Sequence, residues 1–370
     1  MNRLACLLPF FLAGCGAAGD HPVGTDAPAG NSGLVTGERI VNADAEPGNW
    51  LSTGRTYDEQ RFSPLTDIND GNVGELGLAW YFDIDTNRAM EATPLVHDGV
   101  MYVSVPWSIV YALNATTGEL IWTFDPGTPR SWGAYACCDV PNRGVALWND
   151  KVYVATLDGY LVAVDRETGD EVWKADTINR SPPYTVTGAP RVINGNVIIG
   201  NGGAEYGVRG RVKAYDADDG TLLWTFYTVP GPGEFGYDTW PHDNDVYLYG
   251  GGTVWQTPAV DPALDLIYFS TGNPGPDFNG SIRPGDNLFT TSIVAVDAHT
   301  GEYRWHFQQV HHDIWDFDAP SPVVLFDIEI DQQMRRGLAQ PSKTGWVYIL
   351  DRETGEPLIG MEERSVPQEP

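Results

Sequence analysis

One pattern recurs along the chain and limits what it can fold into. It reads LNATTGELIWTF (113–124), VDRETGDEVWKA (164–175), YDADDGTLLWTF (215–226), VDAHTGEYRWHF (296–307) and LDRETGEPLIG (350–360), with a weaker first copy, VGELGLAWYF, at 73–82. Each copy is an apolar strand, an Asp/Asn-x-x-Thr/Asp-Gly turn, then a strand that in most copies carries Trp. The glycine stands where a tight hairpin needs a positive φ. Strands such as GVMYVSV, DKVYVAT and NVIIGNG precede most copies, and Trp122, Trp173 and Trp224 follow one another at 51 residues. A period near fifty with several strands per unit predicts an all-β fold, a β-propeller, with about five blades present. The tryptophans are expected to dock blade on blade rather than to meet a substrate. Between Trp224 and Trp305 the interval widens to 81 residues, with a Gly-, Pro- and aromatic-rich insertion at 229–255. Long excursions in repeat proteins tend to gather on one face and carry function.

Composition agrees. The 370 residues include 42 Gly, 13 Trp and 17 Tyr, which suits short strands and tight turns. The net charge of −28 repels phosphate backbones and anionic headgroups, so nucleic acid is not an expected partner. At the N-terminus Arg3 precedes the apolar run LACLLPFFLAG, too short for a permanent membrane span but suited to a signal peptide over 1–14. That run ends in Leu12-Ala13-Gly14-Cys15, a bacterial lipobox pattern, which predicts a lipidated Cys15, a flexible tether over 15–44 and a propeller over 45–370. The mature protein is then exported to the periplasm, touching the membrane only through the lipid. An ordinary secretory signal is the plainer alternative.

Several stretches carry chemistry. GGAEYG places Glu205 in a Gly-rich turn, STGNPGP presents Asn273 after an apolar strand, and IWDFD presents Asp316 and Asp318 among aromatics. Hard oxygen donors from separate blades suit a calcium-type cation. A purely structural reading has Glu205 paired with Arg209, Asn273 capping a turn and Asp316 as a solvated loop acid. Two adjacent cysteines, Cys137 and Cys138, stand in AYACCDVPNRGV. They are either unrelated buried thiols or a local device, since a bond between them would staple no loop. No CxxCH is present for covalent haem, and no βαβ unit surrounds GNGGAEYG, so NAD is not expected.

Taken together, CCDVPNRG, GNGGAEYGVRG, GGGTVW, STGNPGP…RPGDN and HHDIWDFD…PSKTGWVYILDRETG resemble the pyrroloquinoline quinone (PQQ)-dependent alcohol dehydrogenases, in the same order from about residue 45 onward. The resemblance implies an eight-bladed propeller whose last blades would lie beyond Pro370. It implies oxidation of a small alcohol by metal-assisted hydride transfer to PQQ, with electrons passed to a cytochrome or quinone. By the same resemblance Glu205, Asn273 and Asp316 match metal ligands, Asp316 also matches the general base, and Lys343 matches the cation beside the quinone oxygens. Trp255 matches the ring stacked on the cofactor. Arg143 matches a contact to a cofactor carboxylate, and Glu91, Thr187, Gly203, Ala204 and Thr253 match further contacts. Cys137 and Cys138 match a vicinal disulfide packed on the quinone face opposite Trp255. Asp318 resembles the added acid of lanthanide-using members, so the ion is Ca²⁺ or a lanthanide. The HHDIWDFD wording also resembles the polyol, sugar and quinate branch. A lipid-anchored propeller scaffold without catalysis is the non-enzyme alternative.

Overall fold

The computed structural model describes residues 33–180 and 183–366. Cys15 and the signal segment lie outside the described residues. Five antiparallel sheets follow one another along the chain, four of them four-stranded and the last three-stranded, each a simple up-and-down meander. The first blade contains β1 (Leu95–His97), β2 (Val100–Val105), β3 (Ile109–Asn114) and β4 (Leu120–Phe124). The second contains β5 (Ala146–Trp148), β6 (Lys151–Ala155), β7 (Tyr160–Asp165) and β8 (Glu171–Asp176). The third contains β9 (Arg191–Ile193), β10 (Asn196–Gly200), β11 (Arg211–Asp216) and β12 (Leu222–Tyr227). The fourth contains β13 (Ala259–Asp261), β14 (Leu266–Ser270), β15 (Ser292–Asp297) and β16 (Tyr303–Gln308). The fifth contains β17 (Val324–Ile330), β18 (Gln333–Pro341) and β19 (Val347–Asp351). Middle strands such as β10 of the third blade and β15 of the fourth are buried on both faces and therefore read as continuous Val/Ile/Ala runs, VIIG and SIVAV.

The repeated turn holds the blades together. In the second blade Asp165 Oδ1 accepts from the backbone N–H of Glu167 and Thr168 at 2.9 and 2.8 Å, and Gly169 N–H closes onto Asp165 O at 2.9 Å. Gly169 has φ 79°, which an L side chain adopts only at a cost. The glycine also leaves a space that the preceding blade fills. A Cβ on Gly118, Gly169, Gly220, Gly301 or Gly355 would come within 2.5–2.8 Å of the rings of Trp80, Trp122, Trp173, Trp224 and Trp305 respectively. Indole N–H groups of Trp80, Trp122, Trp173 and Trp305 then donate to a carbonyl of the same turn at 3.0–3.2 Å. Trp224 departs from the pattern: Asn196 Nδ2 takes the corresponding carbonyl, Ala298 O, at 3.1 Å, and the buried indole Nε1 has no partner. Opposite each Trp of the first four blades stands an alanine, followed at once by a register shift. Trp80 docks like the others, yet residues around it form no strand.

Residues 33–44, expected as part of the tether, are instead folded onto the blades. Val35 pairs with Asn149, and a short helix over Gly37–Val41 buries Ile40. The run continues as a strap across every blade: Trp50 pairs with Val96, Tyr57 Oη donates to Val192 O at 2.9 Å, and Leu325 N–H donates to Asp58 O at 2.9 Å. Glu59, fully buried, pairs with the equally buried Arg191, whose Nε also donates to Pro258 O at 2.8 Å. Low local hydrophobicity hid this segment; its contacts are mostly backbone pairs and a few deeply buried apolar side chains.

The two glycine demands can be separated by experiment. Gly220 has φ 74° and lies under Trp173, whereas Gly195 has φ 79° and nothing within 4 Å of its missing Cβ. Gly220→Ala should cost about 1–3 kcal/mol beyond Gly195→Ala by overpacking. Thermal melts that show equal losses for the two variants would contradict the docking role.

Candidate active site

Topology places the chemistry at one end of the blades. In a four-stranded meander the segment entering the first strand and the loop joining the second and third strands lie at the same end. Glu91, Arg143, Thr187, Trp255 and Asp316 with Asp318 sit on the entries to blades one to five in turn. Glu205, Asn273 and Lys343 sit on the second-to-third-strand loops of blades three, four and five. The Trp-docking turns join third to fourth strands and so occupy the opposite end. Neighbouring entries are stitched together: Thr93 N–H donates to Arg143 O at 3.3 Å and Arg143 N–H to Thr187 O at 2.9 Å.

One group forms around Arg143. Its guanidinium pairs with Glu91 at 2.8 Å, donates to Thr187 Oγ1 at 2.6 Å, and lies 4.8 Å from the centroid of the Trp255 ring. Cys137 and Cys138 are joined in a vicinal disulfide, exposed at the surface five residues before Arg143. The adjoining Asp139 is tied to Arg88 at 2.5 Å, three residues from Glu91, so the disulfide loop and the entry to the first blade are fixed to each other. A half-buried indole, a half-buried cation and a disulfide at one end of the fold suit a planar, carboxylate-bearing ligand.

The second group is acidic. Lys343 Nζ contacts Asp318 Oδ2 at 2.9 Å, Asp316 Oδ2 at 3.3 Å and Asp316 O at 2.9 Å. Asp316 is held at φ 61°, and its Oδ1 is buried without a hydrogen-bond partner. Partial burial, then the nearby Asp318 charge, pushes the Asp316 carboxyl above the ordinary range, with Lys343 opposing. Burial works against the Lys343 ammonium, but Asp318 and Asp316 more than offset it and hold the group firmly charged. Glu205 is accessible from the surface yet walled by protein; lost hydration, then Asp318 and Asp316, raise its carboxyl. Its place beside Gly203, φ 104°, and the buried Ala204 keeps the backbone close. Arg209 does not neutralise it, being paired with Glu234 at 2.7 Å.

Asn273 is fixed on three sides. Its N–H donates to Asp318 Oδ1 at 2.9 Å, its carbonyl accepts from Gly252 N–H at 2.8 Å, and its Nδ2 donates to Asp277 Oδ1 at 2.7 Å. Gly272 lacks a side chain because a Cβ there would stand 2.7 Å from Asp318 Oδ1. The carbonyl of Thr253 accepts from Gly272 N–H at 2.8 Å, which links the acidic group to the segment bearing Trp255. Asp277 escaped the sequence reading: PGPDFNG looks like turn chemistry, and only its spacing of four from Asn273 could have pointed to it. Burial, then Glu205, Asp316 and Asp318, push its carboxyl up to about 6.

Among the described residues no three Asp, Glu, His or Cys side chains close round a point as a finished metal cage. The donors still fit a hard cation. They are two carboxylates raised by burial and then by neighbouring acids, together with an amide, and the orphaned Asp316 Oδ1 lacks the positive partner its neighbours have. Asp318, expected as a further ligand, has both oxygens engaged, one by Asn273 N–H and one by Lys343.

Comparison with known proteins accords with this arrangement. Residues 50–370 match the family described as glucose/ethanol/alcohol dehydrogenase, beta-propeller domain, of the PQQ type. The quinohemoprotein alcohol dehydrogenase ADH-IIG of Pseudomonas putida is 51% identical over 354 residues, covering 92% of this chain and 49% of that protein. The 1-butanol dehydrogenase (cytochrome c) of Thauera butanivorans is 42% identical, covering 84% of this chain and 47% of that protein. A europium-containing methanol dehydrogenase superposes with a TM-score of 0.81 at 36% identity, covering 87% of this chain and 60% of the other. The chain spans about half the length of the curated relatives it matches. With its blade repeat, its vicinal disulfide five residues before Arg143 and its acidic group around Lys343, the chain belongs to the PQQ-dependent alcohol dehydrogenase family.

Proposed function

We propose that the protein oxidises a small alcohol with PQQ and one bound cation. The observation that carries this reading is Asp316: a carboxylate anchored by Lys343 at Oδ2, with Oδ1 left without a partner. The Asp316 carboxylate is the group to take the alcohol's hydroxyl proton, and a carboxyl raised above its ordinary value is a better base near neutrality. Lys343, kept cationic by the two aspartates, supplies fixed positive charge beside that carboxylate. Trp255 and the Cys137–Cys138 disulfide would flank the cofactor, with Arg143, backed by Glu91 and Thr187, meeting a carboxylate; Gly203, Ala204 and Thr253 would contribute close backbone contacts. Glu205, Asn273 and Asp316 would hold the cation. When bound, PQQ supplies the two-electron acceptor and the cation the Lewis acidity.

Calcium is the favoured ion. With Asp318 occupied by Asn273 N–H and Lys343, two carboxylates and one amide remain as donors, a charge that a divalent ion balances. The likeness to the europium-containing methanol dehydrogenase supports the second reading, in which Asp318 turns to a trivalent lanthanide. The relative named as a cytochrome c-linked dehydrogenase supports a cytochrome as electron acceptor, and the net charge of −28 would steer a basic one.

Reconstitution with PQQ and either Ca²⁺ or La³⁺ tests the site. Alcohol-dependent dye reduction should be at least as fast with Ca²⁺, and Asp316→Asn should lower it by 10²-fold or more with cofactor binding retained. Faster turnover with La³⁺ alone would assign the ion to the lanthanides, and an active Asp316→Asn variant would remove Asp316 as the base.

The LAGC sequence supports export and lipid anchoring through Cys15. Expressed in a Gram-negative host, the protein should sediment with membranes and Cys15→Ser should move it to the soluble fraction. An unchanged distribution would contradict the anchor.

A further inference from the structure

Asn273 is almost fully buried, at 1% exposure, and its carboxamide has two unlike ends. A cation must meet the oxygen; the nitrogen end would repel it. Which end faces the donors is therefore a structural choice that something must enforce. Two acceptors lie on the nitrogen side: Pro274 O at 3.0 Å and Asp277 Oδ1 at 2.7 Å. An inverted amide would set Oδ1 against a carbonyl and a carboxylate, both of them acceptors with no proton to offer. The carbonyl alone fixes little, because it belongs to the next residue and moves with the same loop. The carboxylate is the stronger, charge-assisted partner.

Asp277 is itself held in place. Buried Arg283 donates through Nε to Pro276 O at 3.0 Å and through Nη2 to Asp277 O at 3.0 Å. The same guanidinium reaches Asp313 O at 2.7 Å and Asn287 Oδ1 at 2.9 Å, which ties the loop to the segment leading to Asp316. The carboxylate thus projects from a braced loop onto a ligand whose backbone N–H and C=O are already committed.

We infer that Asp277 is a positioning residue of the cation site, locking the Asn273 carboxamide so that its oxygen faces Glu205 and Asp316. This rests on the cation reading above and goes beyond it in assigning a role to a residue outside the expected ligand set. Outer partners that orient a metal ligand are worth 10–100-fold in affinity. The effect belongs to hydrogen-bond acceptance, not to charge alone, and the two can be separated. Asp277→Asn keeps an oxygen acceptor for Asn273 Nδ2 and loses the charge; Asp277→Ala loses both.

The test is cation binding to the purified protein, without turnover. Tb³⁺ binding is followed by tryptophan-sensitised luminescence and Ca²⁺ by competition against it, with melting of the cation-free proteins as the check on folding. Asp277→Ala should weaken both ions about 10-fold or more at an unchanged cation-free melting temperature, and Asp277→Asn should recover most of that loss. Wild-type affinity in Asp277→Ala would overturn the inference, as would an Asp277→Asn variant as weak as Asp277→Ala. Should Asp277→Ala not fold, the exchange pair decides: Asn273→Asp alone sets two acids together, and Asn273→Asp with Asp277→Asn restores the hydrogen bond with donor and acceptor swapped. Recovery of binding in the double variant supports the inference and its absence overturns it. A wild-type protein that binds neither ion would refute the cation reading itself, an outcome distinct from all of these.

Discussion

Every blade of this protein depends on an indole ring of one repeat lying in the space left by a missing side chain in the next. The repeated Gly turn supplies that space and, in the first four blades, the strand after it supplies the next ring, so each of these units is both socket and plug. The contact is apolar and large, and an indole of this kind is worth about 3–5 kcal/mol when truncated in a core. Four indole N–H groups add a directional bond to the receiving turn, which fixes rotation as well as distance. Blade orientation follows, and with it the convergence of the blade entries at the other end.

That convergence makes the site possible without any element dedicated to it. The acids come from the third, fourth and fifth blades, and Arg143, Thr187 and Trp255 from the second, third and fourth. Some are held by main-chain bonds to the neighbouring entry or loop, as Arg143 is to Thr187 and Asn273 to Gly252. A site assembled this way buries acids close together, and burial first, then the neighbouring carboxylates, raise Glu205, Asp277 and Asp316. Lys343 offsets part of it; a bound cation would offset the rest.

Much of this was legible in the residues. The turn glycines and tryptophans announce themselves because the repeat forces both into register, and blade docking followed from their period. The adjacent cysteines and the acids of GGAEYG, STGNPGP and IWDFD were visible as residue types, though only a family resemblance gave them roles. Three features were hidden for physical reasons. The strap over residues 33–62 binds through backbone pairs and a buried Glu59–Arg191 pair 132 residues apart, which leave no periodicity. Asp277 sits in a Pro- and Gly-rich turn where an aspartate needs no special explanation. The commitment of both Asp318 oxygens depends on Asn273 N–H and Lys343 reaching the same carboxylate from two blades, with Gly272 leaving the room.

The central claim is that the entry end of these blades forms a PQQ and cation site able to take electrons from an alcohol. Anaerobic titration of the purified protein with PQQ in the presence of Ca²⁺, followed by quinone absorbance and tryptophan fluorescence, tests it most directly. One equivalent should bind with quenching of the Trp255 signal, and a primary alcohol should then bleach the quinone band. A folded protein that binds no PQQ, or binds it without bleaching, would contradict the claim.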